Sequence, residues 1–146
     1  MSSPPNKPSS AAIDKLFDQA KAASRNAYAR YSKFHVGAAV LTEAGETYTG
    51  CNVENVSYPL GTCAEADAIA AARVREGTTF KIVALVVYAE KEGHGHQPCA
   101  PCGGCRQRIF EFSPQADVWF YDRDMKRLRA TATELLPHAF SFEPPK

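Results

Sequence analysis

The sequence predicts an α/β protein, a three-layer α/β/α sandwich on a mixed sheet of about five strands. Three observations carry this. Ile82-Val83-Ala84-Leu85-Val86-Val87-Tyr88 is a continuous, largely β-branched run, as expected of a strand buried on both faces. Strand and helix patterns alternate as strand, helix, strand, helix, strand, which requires two crossovers and a sheet covered on both sides. The composition, 45 % apolar and 23 % charged over 146 residues, is that of one globular domain with its own core.

Each element has a local reason. Ile13, Leu16, Phe17, Ala20, Ala23, Ala27 and Tyr28 recur at helical spacing, so a helix is expected over 13–28 with Ser9 or Ser10 as N-cap. Residues 31–34 form a link. Val36-Gly37-Ala38-Ala39-Val40-Leu41 reads as a buried strand, Glu43-Ala44-Gly45-Glu46 as a turn, and residues 47–52 as the returning strand of a hairpin. A loop marked by Tyr58-Pro59 and Gly61 leads to an alanine-rich helix over 63–76, with Gly77 at its C-terminal cap position. After the 82–88 strand, residues 91–100 are a polar loop containing glycines and histidines. A helix over 102–112 stops before Pro114, and a strand follows at 118–121. A turn, a short strand at 128–130 and a short helix at 133–136 complete the set.

Composition excludes several classes of function. The formal net charge is +1 with both signs interleaved, so no basic face for nucleic acid is apparent. No apolar run approaches the ~20 residues of a membrane span. Residues 1–10 are rich in proline and serine and lack an apolar stretch, so a disordered leader is expected there rather than a secretory signal, with a single catalytic domain over 11–146. Five cysteines, an odd number, argue against a closed disulfide set and for a metal site in a reducing cytoplasm.

The chemistry lies in Thr62-Cys63-Ala64-Glu65 and Pro101-Cys102-Gly103-Gly104-Cys105-Arg106. Three cysteines at this spacing can place three thiolates on one zinc ion, leaving the fourth tetrahedral position open as catalytic sites do. Each lies where a helix starts, where free N–H groups and the helix dipole favour a thiolate. Glu65, two residues after a ligand, is placed to act on a water in the open position.

Blander readings exist for each residue. Cys102 and Cys105 alone would suit a structural zinc knuckle, which needs a fourth protein ligand. The candidates for that ligand are His94 and His96, expected instead as surface histidines of a solvated loop. Thr62 and Glu65 also have the spacing of a capping box, in which Glu65 would merely bond back to the Thr62 backbone. His35 reads as a strand residue with a satisfied ring, Asp67 as a solvated helix residue, and Phe34 and Phe140 as core packing. Cys51 and Cys99 are left outside the metal site, although Cys99 and Cys102 also form a C-x-x-C.

On these residues the sequence resembles the zinc-dependent cytidine deaminase family in its short, homotetrameric form. The likeness extends to Tyr31-Ser32-Lys33-Phe34-His35-Val36-Gly37-Ala38-Ala39, Gly50-Cys51-Asn52-Val53-Glu54-Asn55, Tyr58-Pro59-Leu60-Gly61 and Glu134-Leu135-Leu136-Pro137. It implies one Zn²⁺ per chain on Cys63, Cys102 and Cys105, with Glu65 as proton shuttle. It further implies that Asn52 and Glu54 hold the ribose hydroxyl, that Phe34 and Ala64 line the nucleoside site, and that Tyr58 and Phe140 complete a neighbouring subunit's site. The implied reaction is hydrolytic deamination of cytidine and deoxycytidine in pyrimidine salvage, by a cytoplasmic homotetramer that binds no nucleic acid and no membrane.

Two rival functions are a blasticidin-type nucleoside deaminase and a zinc-stapled interaction domain without activity. The chain departs from the resemblance at one position. Many relatives carry an arginine after the glutamate, donating to the zinc thiolates, where this chain has Ala66. The helix N-termini and Arg106 are the compensation expected from sequence.

Overall fold

The computed structural model describes residues 7–142. Most of the expected leader, residues 1–6, lies outside that range. Ser9 Oγ accepts the Ala12 N–H at 3.1 Å and caps helix α1, Ser10–Ser24. The helix ends one turn earlier than its periodicity suggests, because the backbone of Tyr28 is engaged elsewhere. Its N–H donates to the Asn52 carbonyl at 3.0 Å and its carbonyl accepts from Glu54 at 2.8 Å.

Strands β1, Phe34–Thr42, and β2, Thr47–Cys51, form the hairpin, turned at Gly45 with φ of 84°. Helix α2, Ala64–Glu76, leads to β3, Ile82–Lys91, which lies antiparallel to β1 from Phe34↔Lys91 to Thr42↔Ile82. Residues 91–100, expected as loop, contain a further short strand, β4, Gly95–Gln97, paired with Ala89–Lys91 of β3. Helix α3, Gly103–Phe112, leads to β5, Asp117–Tyr121, which is parallel to β3. Strand β6, Arg127–Thr131, and helix α4, Ala132–Leu135, close the described chain. Among the described residues the mixed sheet therefore has six strands, in the order β2-β1-β3-β5-β6 with β4 beside β3.

Alternation along the central strands builds the three layers. Ala38, Val40, Leu85 and Val87 face α2 and α3, packing on Ala64, Ala68, Ile69 and Ile109. Ala39, Ala84, Val86 and Tyr88 face the other way, onto Ile13, Leu16, Phe17 and Ala20 of α1. Strand directions then place the site. Strand β1 is antiparallel to both β2 and β3, so these two run the same way, and α2 and α3 leave from one edge of the sheet.

Two glycines set how closely the helices approach. A Cβ on Gly37 would overlap the Ala20 carbonyl oxygen of α1. One on Gly50 would overlap the Ala64 carbonyl oxygen and lie 2.5 Å from the Ala68 nitrogen, so α2 rests directly on the β2 backbone. Gly50→Ala must push the start of α2 outward, and overpacking of this kind costs about 1–3 kcal/mol. The variant is expected to unfold at lower urea concentration than the parent. An unchanged midpoint would show that α2 shifts without cost.

Candidate active site

Cys63 is the N-cap of α2, Cys102 is the N-cap of α3, and Cys105 lies one turn further in. The first helical bonds run from the Asp67 N–H to the Cys63 carbonyl at 3.1 Å and from the Arg106 N–H to the Cys102 carbonyl at 2.9 Å. The N–H groups before these have no helical acceptor. The three Sγ atoms lie within 4.8 Å of one another, and among the described residues no other histidine, cysteine or carboxylate joins them. Three soft thiolates without a fourth protein ligand fit zinc held with one position open.

Electrostatics differ among the three. The backbone N–H of Cys105 faces Cys102 and draws its thiol below the ordinary value. Burial pushes the Cys63 thiol up. Burial also raises Cys105, with the negative charge of Glu65 and the neighbouring sulfurs adding to it. A metal ion must displace protons from these last two, which couples metal binding to pH.

Glu65 is 5 % exposed in the first turn of α2. The capping-box alternative fails, because the Thr62 N–H already donates to the Val53 carbonyl at 2.9 Å. The Thr62 hydroxyl donates instead to Asp67 at 2.8 Å, so Asp67 is tied to the helix start rather than freely solvated. Burial lifts the Glu65 carboxyl above the usual carboxylate range, against the pull of its own N–H, the Cys105 thiol and Arg108. Such a group holds and releases a proton nearer neutrality than a free glutamate.

The expected substrate residues are placed unevenly. A cavity of about 370 Å³ is lined by Tyr31, Ser32, Glu54, Asn55, Tyr58 and Gly61. In it Glu54 accepts from the backbone N–H groups of Tyr31 and Ser32 at 2.9 and 3.1 Å through Oε1; the Ser32 hydroxyl first, and then these N–H groups, lower its pKa. Asn52 instead clamps β1: Oδ1 accepts from Val36 at 2.8 Å and Nδ2 donates to the Phe34 carbonyl at 2.8 Å. Phe34 packs, half-buried, against the core on the α2 side. Ala64 is fully buried, so only its backbone N–H is free to meet a ligand. Tyr58 and Phe140 are 74 % and 76 % exposed, which rules out core packing for Phe140 within this chain. A second cavity, about 320 Å³ and lined by residues such as Lys7, Lys81 and Phe112, contains none of the candidates.

Cys99 stays out of the cluster, its thiol pushed up to about 12 by burial. His35 meets Glu92 at 3.1 Å through Nε2. His96 is not a surface residue. In β4 its ring stacks on Tyr88, with centroids 4.4 Å apart, and its Nε2 is buried. Arg106 does not reach the thiolates, since Nε and Nη1 donate to the carbonyls of Pro101 at 2.8 Å and Leu135 at 3.1 Å. The cation beside the sulfurs is Arg108, with Nη1 donating to Cys105 Sγ at 3.6 Å. The sequence reading missed it, although three residues beyond Cys105 on a helix is the spacing of neighbours.

Comparison with known proteins follows the same residues. Residues 10–121 match the family described as the cytidine and deoxycytidylate deaminase zinc-binding region. A cytidine deaminase of Sporosarcina psychrophila is 44 % identical over 133 residues, covering 90 % of this chain and 93 % of the relative. The crystal structure of a cytidine deaminase from Burkholderia pseudomallei superposes with a TM-score of 0.75 at 41 % identity, over 87 % of this chain and 98 % of the other. A blasticidin-S deaminase of Bacillus cereus is 31 % identical over 108 residues, covering 73 % of this chain and 76 % of the relative.

The ligand assignment has a direct check. Metal analysis of Cys102→Ala and Cys105→Ala should show the zinc lost, while Cys99→Ala keeps one ion per chain. An empty Cys99→Ala beside a loaded Cys105→Ala would reverse the assignment.

Proposed function

We propose, for a chain that belongs to the cytidine and deoxycytidylate deaminase family, that Cys63, Cys102 and Cys105 hold its zinc and that Glu65 is the proton shuttle. Cytidine deamination and one zinc per chain rest on that membership and on the three-thiolate cluster. Deoxycytidine is the second substrate in this reading, with uridine or deoxyuridine and ammonia as products for pyrimidine salvage. The single observation that supports it most is the buried Glu65 two residues from a thiolate of an open three-ligand set.

Bound zinc supplies a Lewis acid that brings the pKa of water toward about 7. Glu65 takes the proton of the attacking water as its oxygen adds to C4 of cytosine, and passes that proton to N3. Glu65 then moves the proton of the new C4 hydroxyl to the exocyclic amine, the bond from C4 to that nitrogen breaks, and ammonia leaves the C4 carbonyl behind. The raised affinity of Glu65 for a proton suits both directions of transfer. Glu54 receives the sugar hydroxyl, because its Oε1 is fixed by two backbone donors and the cavity lies beside it. Asn52 retains one amide proton for the same hydroxyl once its clamp on β1 is made. Phe34 and the Ala64 N–H meet the base.

The assembly is a homotetramer, in which Tyr58 and Phe140 complete a neighbour's site. Val56, Leu60 and Phe142 stand equally open in the single chain, at 78 %, 66 % and 76 % exposure, and exposed apolar groups of this kind favour association. Residues 11–146 act as one catalytic domain. All five cysteines are free, which accords with a reducing cytoplasm, and no described helix is long and apolar enough to cross a membrane. The blasticidin-type reading is weaker, since that relative is less alike over a shorter length. The interaction-domain reading lacks a fourth ligand among the described residues.

An ultraviolet assay should show cytidine absorbance falling with the purified protein. Glu65→Gln preserves shape but removes the base, so turnover should fall by about 10²–10⁴-fold with zinc retained. Near-normal turnover in that variant would sink the shuttle role. Light scattering at assay concentration should report a tetramer, and a fully active monomer would contradict the shared site.

A further inference from the structure

We propose that Arg108 is the positioning residue that offsets the negative charge of the zinc thiolates, by donating through Nη1 to Cys105 Sγ. The inference rests on the assignment of Cys63, Cys102 and Cys105 as zinc ligands. Three thiolates against one Zn²⁺ leave a net charge of −1. That excess requires a donor or a cation close by, and a thiolate sulfur has lone pairs to accept one.

Neither helix start supplies that cation. The first turn of α2 offers only Glu65 and Asp67, and Ala66 is too short to donate anything. Arg106 is bound to the carbonyls of Pro101 and Leu135, where it ties the start of α3 to α4. Arg108 is placed differently. It lies three residues beyond Cys105, where helical geometry puts side chains on one face, and its Nη1 is 3.6 Å from the sulfur. Gly104 keeps the approach open, because a Cβ there would stand 3.3 Å from the same nitrogen. The cation also bears on Glu65, so one guanidinium acts on a metal ligand and on the carboxylate beside it.

The chemical effect follows from the contact. An N–H donor draws electron density from the sulfur, which weakens that thiolate as a donor to the metal and leaves the metal a stronger Lewis acid. Arg108 is solvent-exposed, so water screens its charge, and the hydrogen bond carries most of the effect. Loss of such outer contacts typically costs about 10–100-fold in activity or metal affinity.

The test combines kinetics of the zinc protein with spectra of the cobalt-substituted protein. In Arg108→Ala, kcat should fall by about 10–100-fold with KM near that of the parent. The thiolate-to-cobalt charge-transfer band should move to longer wavelength, because the sulfur is no longer stabilised by a donor. Arg108→Lys should recover part of both. If the alanine variant does not fold, Arg108→Met keeps an apolar stem of similar length and removes every donor, with the same expectation. Parent turnover and an unmoved band in a folded variant without the donor would overturn the proposal. The band is read without substrate, so its shift is independent of the deaminase reading; a parent protein that fails to turn over cytidine would count against that reading alone.

Discussion

Two helices of this chain have to begin at one place, and almost everything else in the fold serves that requirement. Cys63 opens α2 and Cys102 opens α3, some forty residues apart in the chain, yet their sulfurs lie within 4.8 Å of each other and of Cys105. Such convergence needs strands that end on the same side. Strand β1 provides it by running opposite to both of its neighbours, so that β2 and β3 point the same way. The chain then passes from β2 to α2, and from β3 by way of the short β4 to α3, at the end of the sheet where open α/β sheets carry their ligand sites. The fine adjustment comes from Gly50, which removes the side chain that would hold α2 away from β2. Packing and chemistry are therefore one constraint here, because any outward movement of α2 also moves Cys63 and Glu65 away from the α3 cysteines.

The same convergence explains why Glu65 sits in an unfavourable place for a carboxylate. The first turn of α2 faces the core cluster, and the residue two positions after a ligand follows it inward. Burial raises the energy of the charged form, while nearby N–H groups and Arg108 lower it. The balance leaves a group that binds a proton more readily than a surface glutamate, which a fold designed for stability alone would avoid. The thiolates have a parallel balance of burial against N–H donors, and it gives Cys102 and Cys105 shifts in opposite directions although they share a helix start.

What the sequence made legible was local chemistry. The thiolate spacings and the β-branched run at 82–88 are short patterns with one physical meaning each, and both lie where they were expected. The misreadings all involve a partner that the linear pattern does not name, near in the chain or far from it. Strand β4 has no strand composition and exists because Ala89–Lys91 offers it an edge. The end of α1 is decided by the bridge from Tyr28 to Val53, and the Thr62–Glu65 box by the Val53 carbonyl that had already taken the Thr62 N–H. Arg106 and Arg108 are indistinguishable as letters. Only the positions of the Pro101 and Leu135 carbonyls show which of the two is engaged elsewhere. Glu54 was legible as a candidate, but the two backbone donors that orient it belong to the turn before β1 and leave no trace in a linear pattern.

The exposed aromatics follow from the same geometry. The site forms at an edge of the sheet, so its outer wall has to be made by loops, and a chain of this length has little material for them. The loop carrying Val56, Tyr58 and Leu60 and the C-terminal segment carrying Phe140 and Phe142 stand open to water instead of folding over the site. Covering a side chain of this size is worth about 1.5–3 kcal/mol. Five of them per chain would supply a driving force comparable with the whole stability of a small domain, about 5–15 kcal/mol. In the proposed assembly a second copy of the chain would satisfy that demand without any new element, covering Tyr58 and Phe140 among the exposed groups. Closing the proposed site and forming the proposed assembly would then be a single energetic event, with the exposure of Tyr58 and Phe140 in the lone chain as the cost that association removes.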